Sequence, residues 1–334
     1  LNTRSDAAQL VGVYVGQGVD FIKTYTEVSS DQFKWLAHES TKQGIKLAGH
    51  KPLKVSLVQA LANNITSLEH GRLFAFECYA GIASFRALPD PVSSYTPDLI
   101  RDIINKQDPQ KCDQLMRLMG QSQTAWVPTL TTLKMSAQSR HNPFNGHPSF
   151  DYIPTVVKAL MWEPDVNRAA TKGFDKDGRF VHMDYYQLAK AQIKKAHRHQ
   201  MRILVGTDNI DTLVFSGLSV HHELQNLVEA GLTPGKALLA ATLWPAQFSG
   251  VESITGTVEE GKRADLIILH DNPLEHIENT QSIEAVLFNG LYFDSEAIAE
   301  LEKYVVDMAQ SIHLNTKLLI QMLMSPLMRA QLAD

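Results

Sequence analysis

Four short apolar runs in this sequence end in, or carry, an ionisable residue. Lys23 lies in Asp20-Phe-Ile-Lys-Thr-Tyr25, His50 closes Leu47-Ala-Gly-His50, His70 closes Ser67-Leu-Glu-His70, and Asp208 closes Leu204-Val-Gly-Thr-Asp208. Neutral imidazoles and carboxylates are suitable ligands for zinc or manganese. A bound divalent ion lowers the pKa of its water towards about 7, and an aspartate beside that water can take the proton and pass it to a leaving group. Lysine is the odd member, because an ammonium repels a metal. It becomes a ligand only when deprotonated, or when CO2 adds to form a carbamate that bridges two ions. Each residue alone has an ordinary structural reading: a hydrogen-bonded histidine, a lysine paired with a carboxylate, an aspartate capping a turn. Four such residues at strand ends are harder to dismiss together.

A scaffold must bring those strand ends to one place. Ala7 to Gly16 reads as a helix, and Val19 to Tyr25 as a buried strand. Ser30 opens a second helix with a good N-cap, and Gly44 closes it. The alternation continues with strands at Lys46–His50, Thr66–His70, Thr124–Leu130 and Arg202–Asp208, and with a helix at Val55–Ala62. Helix after strand predicts an α/β fold with parallel pairing, in a barrel or a doubly wound sheet. Two long intervals, 71–123 and 131–200, are rich in Pro, Asn, Asp and aromatic residues. They read as elaborated strand-to-helix connections, where a barrel enzyme builds its pocket. After residue 255 the text changes: 256–269 and 283–293 read as short strands joined by Gly and Asn-Gly turns. The tail 295–334 is helical in pattern, with an apolar stripe at Ile298, Leu301, Val305, Met308 and Ile312.

The 334 residues suffice for one large α/β domain with an appendage. With 31 Lys+Arg against 36 Asp+Glu, a net charge of −5 and no basic run, nucleic-acid binding of the usual electrostatic kind is not expected. No apolar run is long enough to predict a membrane span. Two cysteines, Cys78 and Cys112, make neither a disulfide framework nor a thiolate zinc site, and they leave the compartment open.

As a set, these segments resemble the amidohydrolase superfamily, in particular its prolidase-like and imidazolonepropionase-like members. The resembling text comprises Gly18–Tyr25, Ala48–His50, Ser67–Gly71, Val127–Leu130 and Val205–Asp208. It continues through Gly217–Leu224, Ala230–Pro234, Ala240–Ala246 and Gly256–Leu266, so that the likeness runs in order over residues 7 to 294. It implies a partial (β/α)8 TIM-type barrel holding strands four to eight over 1–255, a segment of a small β-sandwich over 256–294, and a helical tail over 295–334. By position, Lys23 resembles the carboxylated lysine bridging two metals, and His50 and His70 resemble the ligands of the more exposed ion. Asp208 resembles the aspartate that binds the other ion and shuttles the proton. Tyr25 and His221 are the implied substrate contacts, with His222 an equal candidate. The cofactor implied is a divalent metal, zinc first, as one or two ions.

One departure stands out. The family opens its barrel with a His-x-His pair on the first strand, and residues 1–22 contain no histidine. The chain also starts at Leu1 rather than Met, so strands one to three are expected to lie outside it. His197-Arg-His199 is a poor substitute, because residues two apart on a helix point in different directions. The expected activity is hydrolysis of an amide, peptide or cyclic amide C–N bond by metal-activated hydroxide, with Asp208 as proton shuttle. The alternatives are a truncated, catalytically silent piece of such an enzyme, and a non-metal barrel using Lys23 as a Schiff-base amine. A small molecule or dipeptide is the expected substrate, an ester-type toxin is also compatible, and a homo-oligomer is compatible with the open sheet edges.

Overall fold

The computed structural model describes residues 1–141 and 147–325. A helix, Arg4–Gly16, opens the chain, capped by Thr3 in a reciprocal box with Asp6. It packs on the helix Ser30–Gln43, which Ser29 caps and Gly44 ends in the left-handed conformation at φ 70°. Between them runs strand β1 (Phe21–Thr24), which pairs in parallel with β2 (Lys46–Gly49) in the register Lys23 to Ala48. After the short helix Leu57–Ala62 comes β3 (Ser67–Glu69), parallel to β4 (Ala125–Val127) with Leu68 opposite Trp126. The Thr66 N–H donates to Leu47 O at 2.8 Å and ties β3 to β2. These strands therefore lie side by side in chain order, with helices crossing between them, which is the mixed α/β arrangement the hydropathy pattern predicts.

The expected strand Arg202–Asp208 is reduced to a single bridge. Trp126 N–H donates to Arg202 O at 2.8 Å and Leu204 N–H to Trp126 O at 2.9 Å; the next donor on that side would be Pro128, which has no N–H, and the Val205 N–H on the opposite edge donates to Ala240 O. That carbonyl lies in the helix Pro234–Ala241. An apolar run signals burial, whereas ladder pairing also requires a neighbour along its whole length.

The main core cluster surrounds Trp126, Phe74, Leu68, Ile203 and Ile193, all but excluded from solvent, and a second gathers Phe76, Phe85, Ile103 and Tyr185. Cys78 and Cys112 are bonded to each other and join the end of the helix Arg72–Glu77 to the helix Pro109–Gly120. Towards the C-terminus, β5 (Leu266–Leu269), β6 (Ile283–Phe288) and β7 (Leu291–Phe293) form an antiparallel sheet. Asn289 and Gly290 turn the last hairpin with φ 52° and 80°, as Asn-Gly predicts. Residues 256–265, expected to begin a strand, are turns and irregular backbone. Two helices follow, Ser295–Gln310 and Ile312–Met324, separated where Ser311 caps the second. Their apolar stripe is not covered: Leu301, Val305 and Met308 are exposed, and Ile312 is 85% exposed. Residues 326–334 of the expected tail lie outside the described residues, as do 142–146 of the second long interval.

Candidate metal centre and active site

The two histidines are brought together because β2 and β3 run alongside each other, tied by Thr66 to Leu47. β2 ends at Gly49 and β3 at Glu69, so His50 and His70 are the next residues at the same end of the sheet. Their Nε2 atoms face each other at 2.8 Å, and both residues are 8% exposed. Burial, then the charges of Arg72 and Lys23, lowers His50 to about 4. The same burial, with Arg72, His50 and Lys23 behind it, lowers His70 to about 2. Both rings are neutral at pH 7, the form that binds a metal.

The backbone at this end is strained in one repeated way. His70, Thr129 and Asp208 follow successive wall segments, and each is left-handed, with φ of 71°, 43° and 59°. Non-glycine residues adopt that conformation at a cost, and they do so where the surroundings impose it. For His70 the surroundings are explicit. Its N–H donates to Val127 O at 2.8 Å, its carbonyl accepts from Trp126 Nε1 at 2.9 Å, and its Nδ1 is hydrogen-bonded to Thr129 Oγ1 at 3.0 Å. A hydroxyl bonded to Nδ1 in this way fixes which ring nitrogen faces inward. His50 has Nδ1 buried without a hydrogen-bond partner, and its ring lies against Tyr25 at 4.2 Å between centroids. Lys51, directly after it, turns inward to Glu77 at 3.0 Å.

Lys23 reaches the same place from β1. Its stem crosses Gly49, where a Cβ would sit 2.6 Å from Lys23 Cγ, so glycine at 49 makes room for the lysine. The Nζ ends 2.7 Å from Glu69 Oε2. Asp208 places a carboxylate oxygen 3.8 Å from His70 Nδ1, on a side chain 39% exposed. Lys23, His50, His70 and Asp208 thus converge, and Tyr25 stands at their rim. His221 does not join them: on the helix Leu218–Glu229, it is hydrogen-bonded to Thr280 at 3.0 Å. The neighbouring His222 faces a separate cavity with Lys134 and His147. His197 and His199 are engaged elsewhere, by Lys236 and Asp113.

Two residues of the site were not singled out from the sequence. Glu69 joins His50 and His70 in a set whose donor atoms lie within 4.8 Å of one another; its signal is an acid immediately before a strand-end histidine. Arg72 is half-buried, forms no hydrogen bond or ion pair among the described residues, and borders both the imidazole pair and a cleft of about 390 Å³. Two neutral imidazoles facing each other beside a carboxylate, with one ring nitrogen unpartnered, form a donor set that fits a divalent cation.

Residues 189–291 match the model of the amidohydrolase family, a stretch that contains Asp208 and His221. The N-acetylgalactosamine-6-phosphate deacetylase of Escherichia coli O157:H7 is 41% identical over 58 residues, covering 17% of this chain and 15% of that protein. Among solved structures, bottromycin amidohydrolase superposes with a TM-score of 0.66 at 22% identity, over 92% of this chain and 63% of its own. A Xaa-Pro dipeptidase with bound methionine gives 0.57 at 20%, over 88% and 59%. Ochratoxinase of A. niger gives 0.56 at 19%, over 89% and 56%. At these identities the likeness is one of fold. The chain spans about three-fifths of the solved structures it resembles.

Proposed function

We infer that this chain, a member of the amidohydrolase superfamily, carries the metal-dependent part of a hydrolase acting on an amide, peptide or cyclic amide C–N bond. The observation that carries this reading is the pair of neutral imidazoles facing each other at 2.8 Å with Asp208 beside them. His50 and His70, with Glu69 or Lys23, would hold one divalent ion, zinc first on this donor set, and Asp208 would serve a second. When bound, such an ion supplies Lewis acidity and lets water ionise near neutral pH. Asp208 takes the proton of the attacking water and returns it to the leaving nitrogen, being partly solvated and 3.8 Å from His70 Nδ1. Thr129 keeps the His70 ring turned towards His50. Tyr25 covers the outer face of His50, and Arg72, without an ion-pair partner among the described residues, receives an acidic group of the substrate from the adjoining cleft. Lys23 as an ammonium satisfies Glu69; as a carbamate it would face a like charge and need a cation between the two. The partial-barrel reading agrees with this arrangement, since a barrel gathers its catalytic groups at the C-terminal strand ends.

The test is metal content after dialysis, together with turnover of a panel of N-acyl amino acids, dipeptides and cyclic imides. About one tightly held equivalent, lost in His50→Ala and His70→Ala, supports the centre. An equal metal content in both variants would overturn it. A second reading, a chain that binds metal but turns nothing over, is favoured by the absence of a second imidazole pair beside Asp208 among the described residues.

A further inference from the structure

Glu223 lies on the helix Leu218–Glu229 with no solvent exposure, and its hydrogen bonds go to Leu130, Thr131 and Asn226 rather than to either imidazole of the site. Its carboxylate is aimed at the start of another helix, Leu130–Gln138: Leu130 N–H donates to Oε1 at 2.8 Å and Thr131 N–H to Oε2 at 2.9 Å. Asn226 Nδ2 adds a longer bond, 3.4 Å, to Oε2. Burial pushes this carboxyl up to about 7, and the two backbone donors pull against that shift.

The helix that receives it has an unusual beginning. Thr129 stands at its N-cap position, and threonine there ordinarily offers its hydroxyl to the second or third amide of the helix. Here Thr129 is left-handed and makes no such bond. Its hydroxyl is spent on His70 Nδ1 at 3.0 Å. Two residues on, Thr131 donates its hydroxyl to Thr207 O at 3.0 Å, the carbonyl immediately before Asp208. One short stretch, 129–131, therefore holds both His70 and the backbone that carries Asp208. Its own amides are satisfied from outside, by a carboxylate delivered from a helix that begins ten residues after Asp208.

We propose that Glu223 is a positioning residue for the site: it caps the helix Leu130–Gln138 in place of Thr129, which frees the Thr129 hydroxyl for His70 and anchors Thr131 beside Asp208. A buried carboxylate with no role beyond filling the core would leave the His70 ring indifferent to its removal. The two roles separate in the metal-free protein, so the proposal stands or falls independently of the hydrolase reading.

The experiment follows the His70 ring nitrogens by 15N–1H correlation in metal-free protein labelled at histidine, with melting temperature measured alongside. In Glu223→Ala the orphaned amides draw the Thr129 hydroxyl back to the cap, and the His70 signals move to where Thr129→Val puts them. Glu223→Gln keeps one acceptor and gives a shift in the same direction but smaller; it also serves if the alanine variant does not fold. Thr233→Ala, which removes the cap of the helix Pro234–Ala241, lowers the melting temperature while leaving His70 in place. Wild-type His70 signals in the Glu223 variants would overturn the proposal, as would an equal displacement in Thr233→Ala.

Discussion

His50 and His70 are histidines that folding keeps from protonating, and that has a signature in stability. Their folded values, about 4 and about 2, lie below the ordinary 6.5. The unfolded chain therefore takes up protons below about 6.5 that the native state refuses, and the contribution of these rings is complete above that pH and lost as pH falls, through about 4 for His50 and about 2 for His70. Glu223 runs the other way: raised from 4.5 to about 7, its contribution is complete below 4.5 and lost as pH rises through 7. With two imidazoles against one carboxyl, the melting temperature of the metal-free protein should rise from pH 4.5 to 6.5 and then fall slightly towards 8. Glu223→Gln should remove the fall; a wild-type curve that climbs steadily to pH 8 would contradict the assignment. Asp208→Asn keeps the shape of the side chain but not its proton affinity. Loss of general acid–base help at this position should cost roughly 10²–10⁴-fold in kcat with the melting temperature retained, and wild-type turnover would remove Asp208 from the chemistry.

At the scale of elements, the site depends on how closely β1 and β2 approach. Gly49 has φ 113°, and a Cβ there would meet Lys23 Cγ at 2.6 Å and Thr24 O at 2.7 Å. Gly49→Ala should therefore cost about 1–3 kcal/mol from backbone strain alone, and denaturant unfolding would measure it. The Lys23–Glu69 pair should part in the same variant. Glycine before a strand-end histidine is visible in the sequence, but the reason for it is the lysine of the neighbouring strand. The same holds for the cysteines. Two of them cannot announce a framework, yet the fold pairs Cys78 with Cys112 across a separation of 34 residues. In the chain-entropy account a loop of that length contributes about 3–4 kcal/mol, so Cys112→Ser should lower the unfolding free energy by an amount of that order. A change under 1 kcal/mol would show that the bond constrains little in the unfolded chain.

At the scale of the molecule, the parallel wall has an uncovered side. β1 pairs with β2 alone among the described residues, and Val19, Phe21 and Tyr25 are exposed along it. An open edge carrying exposed apolar side chains is a template for association. Light scattering across a concentration series should show self-association of this chain, and Phe21→Lys should reduce it. A concentration-independent monomer would remove this edge as a contact.

What the amino-acid sequence determined by itself was the alternation of strand and helix, the Gly44 cap, the Asn289-Gly290 hairpin, and four ionisable residues at apolar strand ends; the N-cap expected at Ser30 is Ser29, one residue earlier. Hydrophobic period and turn chemistry act over a few neighbours, so a single chain displays them directly. Only the tertiary structure decided which of those residues meet. Packing laid β2 beside β3, tied through Thr66 to Leu47, and set two imidazoles 2.8 Å apart. It drew Glu69 into the set, sent His221 to Thr280, and left the strand at 202–208 as a single bridge, because the next donor on the neighbouring segment would be Pro128, which has no N–H. Contacts between residues tens of positions apart depend on register and packing direction, and no local pattern records them. Glu223 shows the same limit: on a helix it reads as one more acid, and its partner amides lie more than ninety residues earlier in the chain.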